Sequence, residues 1–126
     1  MGFETSVIEI DETSDSNEEW REIMSVKLEN ASQFEIHCWN EEYEEIEMAL
    51  KYGSLRETEW EYGSIIEGPV TDGFKKYLLS LSKPVDTGIY NKMTPFFSIF
   101  LDNGFSSEHY GTELNQQPIT CRNGKT

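Results

Sequence analysis

Residues 34–53 read FEIHCWNEEYEEIEMALKYG. In the first six, Phe34, Ile36 and Cys38 alternate with Glu35, His37 and Trp39, the period-two pattern of a strand with one buried face. Asn40 then offers a side-chain cap, Glu41 and Glu42 suit the positive end of a helix dipole, Lys51 suits the negative end, and Gly53 accepts a left-handed exit. Together these signals predict a helix over 41–52. Spacing at about 100° per residue places Tyr43, Ile46, Ala49 and Leu50 on its core side and Glu41, Glu44, Glu45, Met48 and Tyr52 on its outer side.

Upstream, strand-like alternation begins near Val7, Ile8 and Ile10. It is clearer in 20–29, where Trp20, Glu22, Met24, Val26 and Leu28 alternate with Arg21, Ile23, Ser25, Lys27 and Glu29. With Asn30-Ala31-Ser32 as the turn, 20–29 and 34–38 read as an antiparallel hairpin. Residues 11–19, DETSDSNEE, read as a polar loop.

Downstream, Trp60 and Tyr62 alternate with Glu59 and Glu61, so 57–67 reads as a strand with a bulge or bend, and Glu57, Glu59 and Glu61 form an acidic stripe along one face. Thr71 or Asp72 caps a second helix with Phe74, Tyr77, Leu78 and Leu81 at i, i+3, i+4 and i+7, ending near Lys83-Pro84. Phe96–Leu101 and Phe105–Tyr110 flank Asp102-Asn103-Gly104, a loop suited to positive φ, and form a hairpin. The order β-β-β-α-β-α-β-β lacks the regular alternation of a doubly wound sheet. It predicts an α+β fold in which two helices cover a mainly antiparallel sheet. One domain spans 1–114, and 115–126 reads as a polar, frayed tail.

The chain has 126 residues, 37% apolar and 13% aromatic, enough large side chains for one core. Two cysteines, Cys38 and Cys121, are too few for a disulfide framework and are expected as free thiols. No apolar run spans a bilayer, and the first residues carry neither a basic nor an apolar leader segment, so the expected location is the cytoplasm. Met1–Ser6 fits a short myristoylation pattern, but it lacks the basic patch that would support a single acyl chain. Asn30-Ala31-Ser32 also forms a glycosylation sequon, which matters only on the secretory route.

The formal net charge is −14. Residues 1–70 hold 19 acids and 4 bases, whereas 71–126 hold 5 and 6, so the imbalance lies in the first part. Such an excess repels nucleic acid and anionic lipid and attracts cationic partners; it also serves plain solubility.

The residues spell out no catalytic or metal-binding constellation. Histidine is the natural acid or base near neutrality, and His37 and His109 admit a two-histidine, ribonuclease-like alternative. Against it, His37 and Cys38 are successive on a strand and point to opposite faces, and the acidic field opposes an RNA substrate. No CxxC, HExxH, calcium-loop or phosphate-loop pattern occurs, so no cofactor or metal is expected. Carboxylates are too abundant for any one pair to indicate an active site.

The outer side of the first helix combines an adaptable apolar pair, Met48 and Tyr52, with Glu41, Glu44 and Glu45. That is the composition of an interface with anchors inside and charges at its rim. With Glu57, Glu59 and Glu61 these residues form the predicted partner-binding set. The alternative is that another part of the domain, such as the 11–19 loop or the tail, covers Met48 and Tyr52.

The segments FEIHCWNEEYEEIEMALKYG (34–53), GPVTDGF (68–74) and FFSIFLDNGFSSEHYGTEL (96–114), with the small size and strong acidity, resemble the immunity proteins of bacterial contact-dependent inhibition systems. The resemblance implies a cytoplasmic protein that binds one cognate toxin domain, commonly a nuclease, and blocks its active site or substrate path. It carries over no individual residues. A nuclease needs a basic groove for phosphates, which a dense carboxylate surface fills in place of nucleic acid. An acidic DNA mimic or another regulatory binding module is the alternative within the same physics.

Overall fold

In the computed structural model, residues 6–8, 16–84 and 92–117 are described. The elements run β1 (Ser6–Ile8), α1 (Glu18–Glu29), β2 (Gln33–Trp39), α2 (Tyr43–Leu50), β3 (Ser54–Arg56), β4 (Gly63–Pro69), α3 (Asp72–Ser80), β5 (Ser98–Leu101), β6 (Phe105–Glu108) and β7 (Glu113–Gln116). The strands form one sheet in the order β1-β7-β6-β5-β2-β4-β3, and every neighbouring pair is antiparallel. The α+β class with a mainly antiparallel sheet is as predicted.

Strand β2 lies between β4 and β5 and alternates as expected, with Phe34, Ile36 and Cys38 buried. Their register partners Ile66, Ile99 and Leu101 share that face. Against it pack Trp20, Met24 and Leu28 of α1, Ala49 of α2, and Phe74 and Leu78 of α3. The core therefore sits on one side of the sheet. Phe34 stacks on Phe74 at 4.0 Å with ring planes 6° apart, joining the central strand to α3.

Residues 20–29 are a helix, not the predicted strand, and no 20–29/34–38 hairpin exists. Trp20, Met24 and Leu28 recur every four residues, a spacing that satisfies both a period of two and a helical stripe. The strand reading placed Val26 with them on the apolar face, but Val26 is 62% exposed, whereas Ile23, three residues from Trp20, packs against the core. Glu18 and Glu19 open the helix and Lys27 lies in its last turn, in keeping with its dipole. Asn17, read as part of a polar loop, is buried just before it. Its Nδ2 donates to the carbonyls of Leu81 and Met93, each at 3.0 Å, and its Oδ1 accepts from Arg21 Nε at 3.0 Å. The Trp20 indole N–H donates to the buried Ser107 hydroxyl at 3.0 Å, locking α1 to β6.

The predicted strand over 57–67 is also reshaped. Residues 57–62 leave the sheet as a loop between β3 and β4, so Glu57, Glu59 and Glu61 are exposed by looping out and not by alternation. Trp60 folds back onto the sheet: a Cβ on Gly63 would lie 2.1 Å from its nearest ring carbon, a clash that only glycine avoids. Helix α3 begins as predicted, the Thr71 hydroxyl accepting the Phe74 N–H at 3.0 Å. Strand β7 pairs with β1 and β6, drawing residues 115 and 116 of the predicted tail into the sheet. The rest of the tail from 118, and the early segments 1–5 and 9–15, lie outside the described residues.

Candidate partner-binding surface

Asn40 was expected to cap the first predicted helix; that helix instead starts at Tyr43 with Glu42 at the cap position. Asn40 ties two acidic segments together. Its backbone N–H donates to the Tyr62 carbonyl at 2.9 Å, its Nδ2 to the Glu61 carbonyl at 3.0 Å, and its Oδ1 accepts the Ser64 hydroxyl at 2.8 Å. The turn carrying Glu41 and Glu44 is thereby held beside the loop carrying Glu57, Glu59 and Glu61. All five side chains are exposed. Glu42 turns inward: one carboxylate oxygen accepts the Trp39 N–H and the other the Tyr110 hydroxyl, both at 2.9 Å.

The predicted anchors are placed differently. Met48 and Tyr52 are half-buried against the core cluster, where the Tyr77 hydroxyl of α3 lies 3.0 Å from the Met48 sulfur and the Tyr52 ring stacks on Tyr77 at 5.0 Å. A cover from within the domain thus exists, and among the described residues α3 provides it in place of the suggested 11–19 loop or tail. Glu45 is half-buried. The helix is rotated from its predicted setting: of the expected core residues, Ala49 is buried and Ile46 partly so, but Tyr43 is 73% and Leu50 38% exposed. Tyr43, with Tyr62 at 66% exposure, supplies the large side chains of the acidic end.

A second surface adjoins this end through Trp60. No described helix covers the other face of the sheet, where His37 and Trp39 of β2 meet Trp60 (ring centroids 5.9 and 5.1 Å) and His37 also meets Phe100 of β5 (4.8 Å). Phe97 extends the row to Trp39, Tyr110 and His109. The row is flanked by Glu35 and Glu67 on β2 and β4, and by Glu108 and Glu113 on β6 and β7. Arg56 bonds Glu35 at 2.8 Å and reaches Glu67 at 3.4 Å, and His37 Nε2 lies 2.5 Å from Glu35. Burial raises the Glu35 carboxyl, but its hydrogen bonds and attraction to His37 and Arg56 outweigh that and hold it below its ordinary range.

The chain matches no known protein family, no curated protein and no solved structure.

Each histidine sits with its own glutamate, His37 with Glu35 and His109 with Glu113 at 3.2 Å. His109, expected within a strand over 105–110, lies just beyond β6 in a left-handed turn with φ 53°, followed by Tyr110 at φ 60° and Gly111 at φ 87°. Cys38 faces the helices while His37 faces away from them, so the pair is split by the sheet as strand geometry requires. Burial foremost, then the charges of Glu42 and Glu45, push the Cys38 thiol up to about 12, the opposite of an activated nucleophile. Among the described residues, no three His, Cys, Asp or Glu side chains group to hold a metal ion, and no helix is long and apolar enough to cross a membrane.

The sequence reading missed Tyr43, Tyr62, Trp60 and Phe100 as surface features. Tyr43 carried the wrong signal because it shares a helical side with Ile46 and Ala49. Trp60 and Tyr62 were hidden inside a strand pattern. What the arrangement provides is dense carboxylate beside two exposed tyrosines.

Proposed function

We propose that this chain is a binding protein that neutralises a basic protein partner, in the manner of an immunity protein acting on a cognate toxin domain. One observation carries the reading: Asn40 fastens the Glu41–Glu44 turn to the Glu57–Glu61 loop, so that five exposed carboxylates and the exposed rings of Tyr43 and Tyr62 occupy one end of the molecule. Tyrosine supplies large contact area at small entropic cost, and the surrounding carboxylates steer a cationic partner into place. A basic groove built for phosphates is the complementary surface. Occupying it excludes the substrate without any chemistry from this chain.

The test is protection. Co-expressed with the toxic product of a neighbouring gene, the chain is expected to relieve growth arrest and to co-elute with that protein as a stable complex. Absence of both effects overturns the reading. Relief of several unrelated nucleic-acid-binding proteins would instead identify a DNA mimic.

A further inference from the structure

On the helix-free face of the sheet, two pairs of glutamates stand directly opposite one another across neighbouring strands, Glu35 with Glu67 and Glu108 with Glu113. Like charges so placed repel. The first pair has its counter-ion: Arg56 Nη1 lies 2.8 Å from Glu35 Oε1 and 3.4 Å from Glu67 Oε1, with Nη2 3.3 Å from Glu35 Oε2.

The second pair is held differently. The Ser106 hydroxyl donates to Glu108 Oε2 at 2.9 Å. Asn115 Nδ2 bridges Glu108 Oε2 at 3.1 Å and Glu113 Oε2 at 3.2 Å, and His109 Nδ1 stands 3.2 Å from Glu113 Oε1. Among the described residues, no lysine or arginine reaches either carboxylate. Beside the pair opens a cleft of about 330 Å³ lined by Phe100, Ser106, Glu108, Glu113 and Asn115. Phe100 lies between the two pairs, opposite Glu35 on one neighbour and Ser106 on the other.

We propose that this cleft receives an arginine side chain from the basic partner, whose guanidinium bridges Glu108 and Glu113 as Arg56 bridges Glu35 and Glu67. The proposal deepens the reading of the chain as a binder of a basic protein and rests on it. The sheet face matches that occupant in charge and shape. Paired carboxylates accept the parallel N–H donors of a guanidinium, and an aromatic wall stacks on its flat face, whereas lysine offers only a point charge. The cleft volume lies at the small end of the range for small-molecule pockets, in keeping with a single side chain as occupant. Trp60 makes this face continuous with the acidic end, so one partner contacts both.

The test uses the full chain, isotope-labelled for NMR, titrated with a blocked Gly-Arg-Gly peptide, its neutral citrulline counterpart and its lysine counterpart. The arginine peptide is expected to give saturable shifts at Ser106, Glu108, Glu113 and Asn115, the lysine peptide weaker ones and the citrulline peptide none. In the Glu108→Gln, Glu113→Gln variant the affinity is expected to fall about tenfold or more. Phe100→Leu, which leaves the glutamates in place, is a second variant and is expected to erase the preference for arginine over lysine. Equal shifts with citrulline, shifts confined to residues 41–61, or undiminished affinity in folded variants would overturn the proposal. A partner complex that forms but is indifferent to Glu108→Gln, Glu113→Gln removes the cleft alone. Arginine-peptide binding at the cleft, with no partner complex, removes the neutralisation reading and leaves the arginine site.

Discussion

The Tyr77 hydroxyl lies 3.0 Å from the sulfur of Met48, joining α3 to α2 across 29 residues of chain. Tyr52 completes the contact by stacking on Tyr77 and meeting Phe74 edge-on at 5.8 Å. Met48 and Tyr52 are thus packing residues between two helices. Tyr52→Ala is expected to lower unfolding free energy by about 1–3 kcal/mol, and Met48→Ala to act in the same direction. Tyr43→Ala, at an exposed site, should change stability by less than about 0.5 kcal/mol. Urea unfolding checks all three. An unchanged midpoint for Tyr52→Ala would contradict the helix setting.

Legibility of the sequence followed the strength of local signals. Strand β2 was readable because alternation, burial and the following turn agreed, and α3 because Thr71 and the Phe74–Leu78 stripe pointed to one answer. Residues 20–29 were misread because Trp20, Met24 and Leu28 fit both periods, and only the fate of Ile23 and Val26 separates them. For α2, apolar residues lie on both sides of a helix of eight residues, so its rotation is set by packing against β2, β3 and β4 and by the Tyr77–Met48 contact, which no local pattern reveals. The acidic residues of the candidate surface were recognisable as a group from their density. The bridging role of Asn40 and the folding back of Trp60 are long-range events with no signature in spacing.

Acid should expose the ion pair on the open face. The Glu35 carboxyl is held below its ordinary value of 4.5, with His37 and Arg56 overcoming the effect of burial. A carboxyl with a lowered folded value binds fewer protons in the native state. Its contribution is therefore present above that ordinary value and lost as pH falls through the folded one. Arg56→Gln is expected to lower the urea midpoint near neutrality, with the gap to the natural protein narrowing as pH falls below 4.5. A gap that is constant or grows in acid would show that Arg56 acts through something other than Glu35.

Cys38 is buried on the core face, its thiol pushed up to about 12 by burial and then by Glu42 and Glu45. In the folded protein it should resist alkylation at neutral pH and become reactive only on unfolding. Peptide mapping after a timed iodoacetamide pulse, with and without urea, reads this directly. Labelling of Cys38 in folded protein at the rate of a free thiol would contradict its placement. Cys121 lies outside the described residues.

The central claim is that the end built around Asn40 meets a basic partner, and association kinetics test it most directly. Stopped-flow mixing with a basic protein that co-purifies with this chain would compare the natural sequence with Glu57→Gln, Glu59→Gln, Glu61→Gln combined, after circular dichroism has shown the variant folded. The predicted result is association slower by about tenfold at low salt, a difference that closes as salt rises, and dissociation little changed, because exposed charges act on encounter. Identical association rates and an identical salt dependence for the two proteins would contradict the claim.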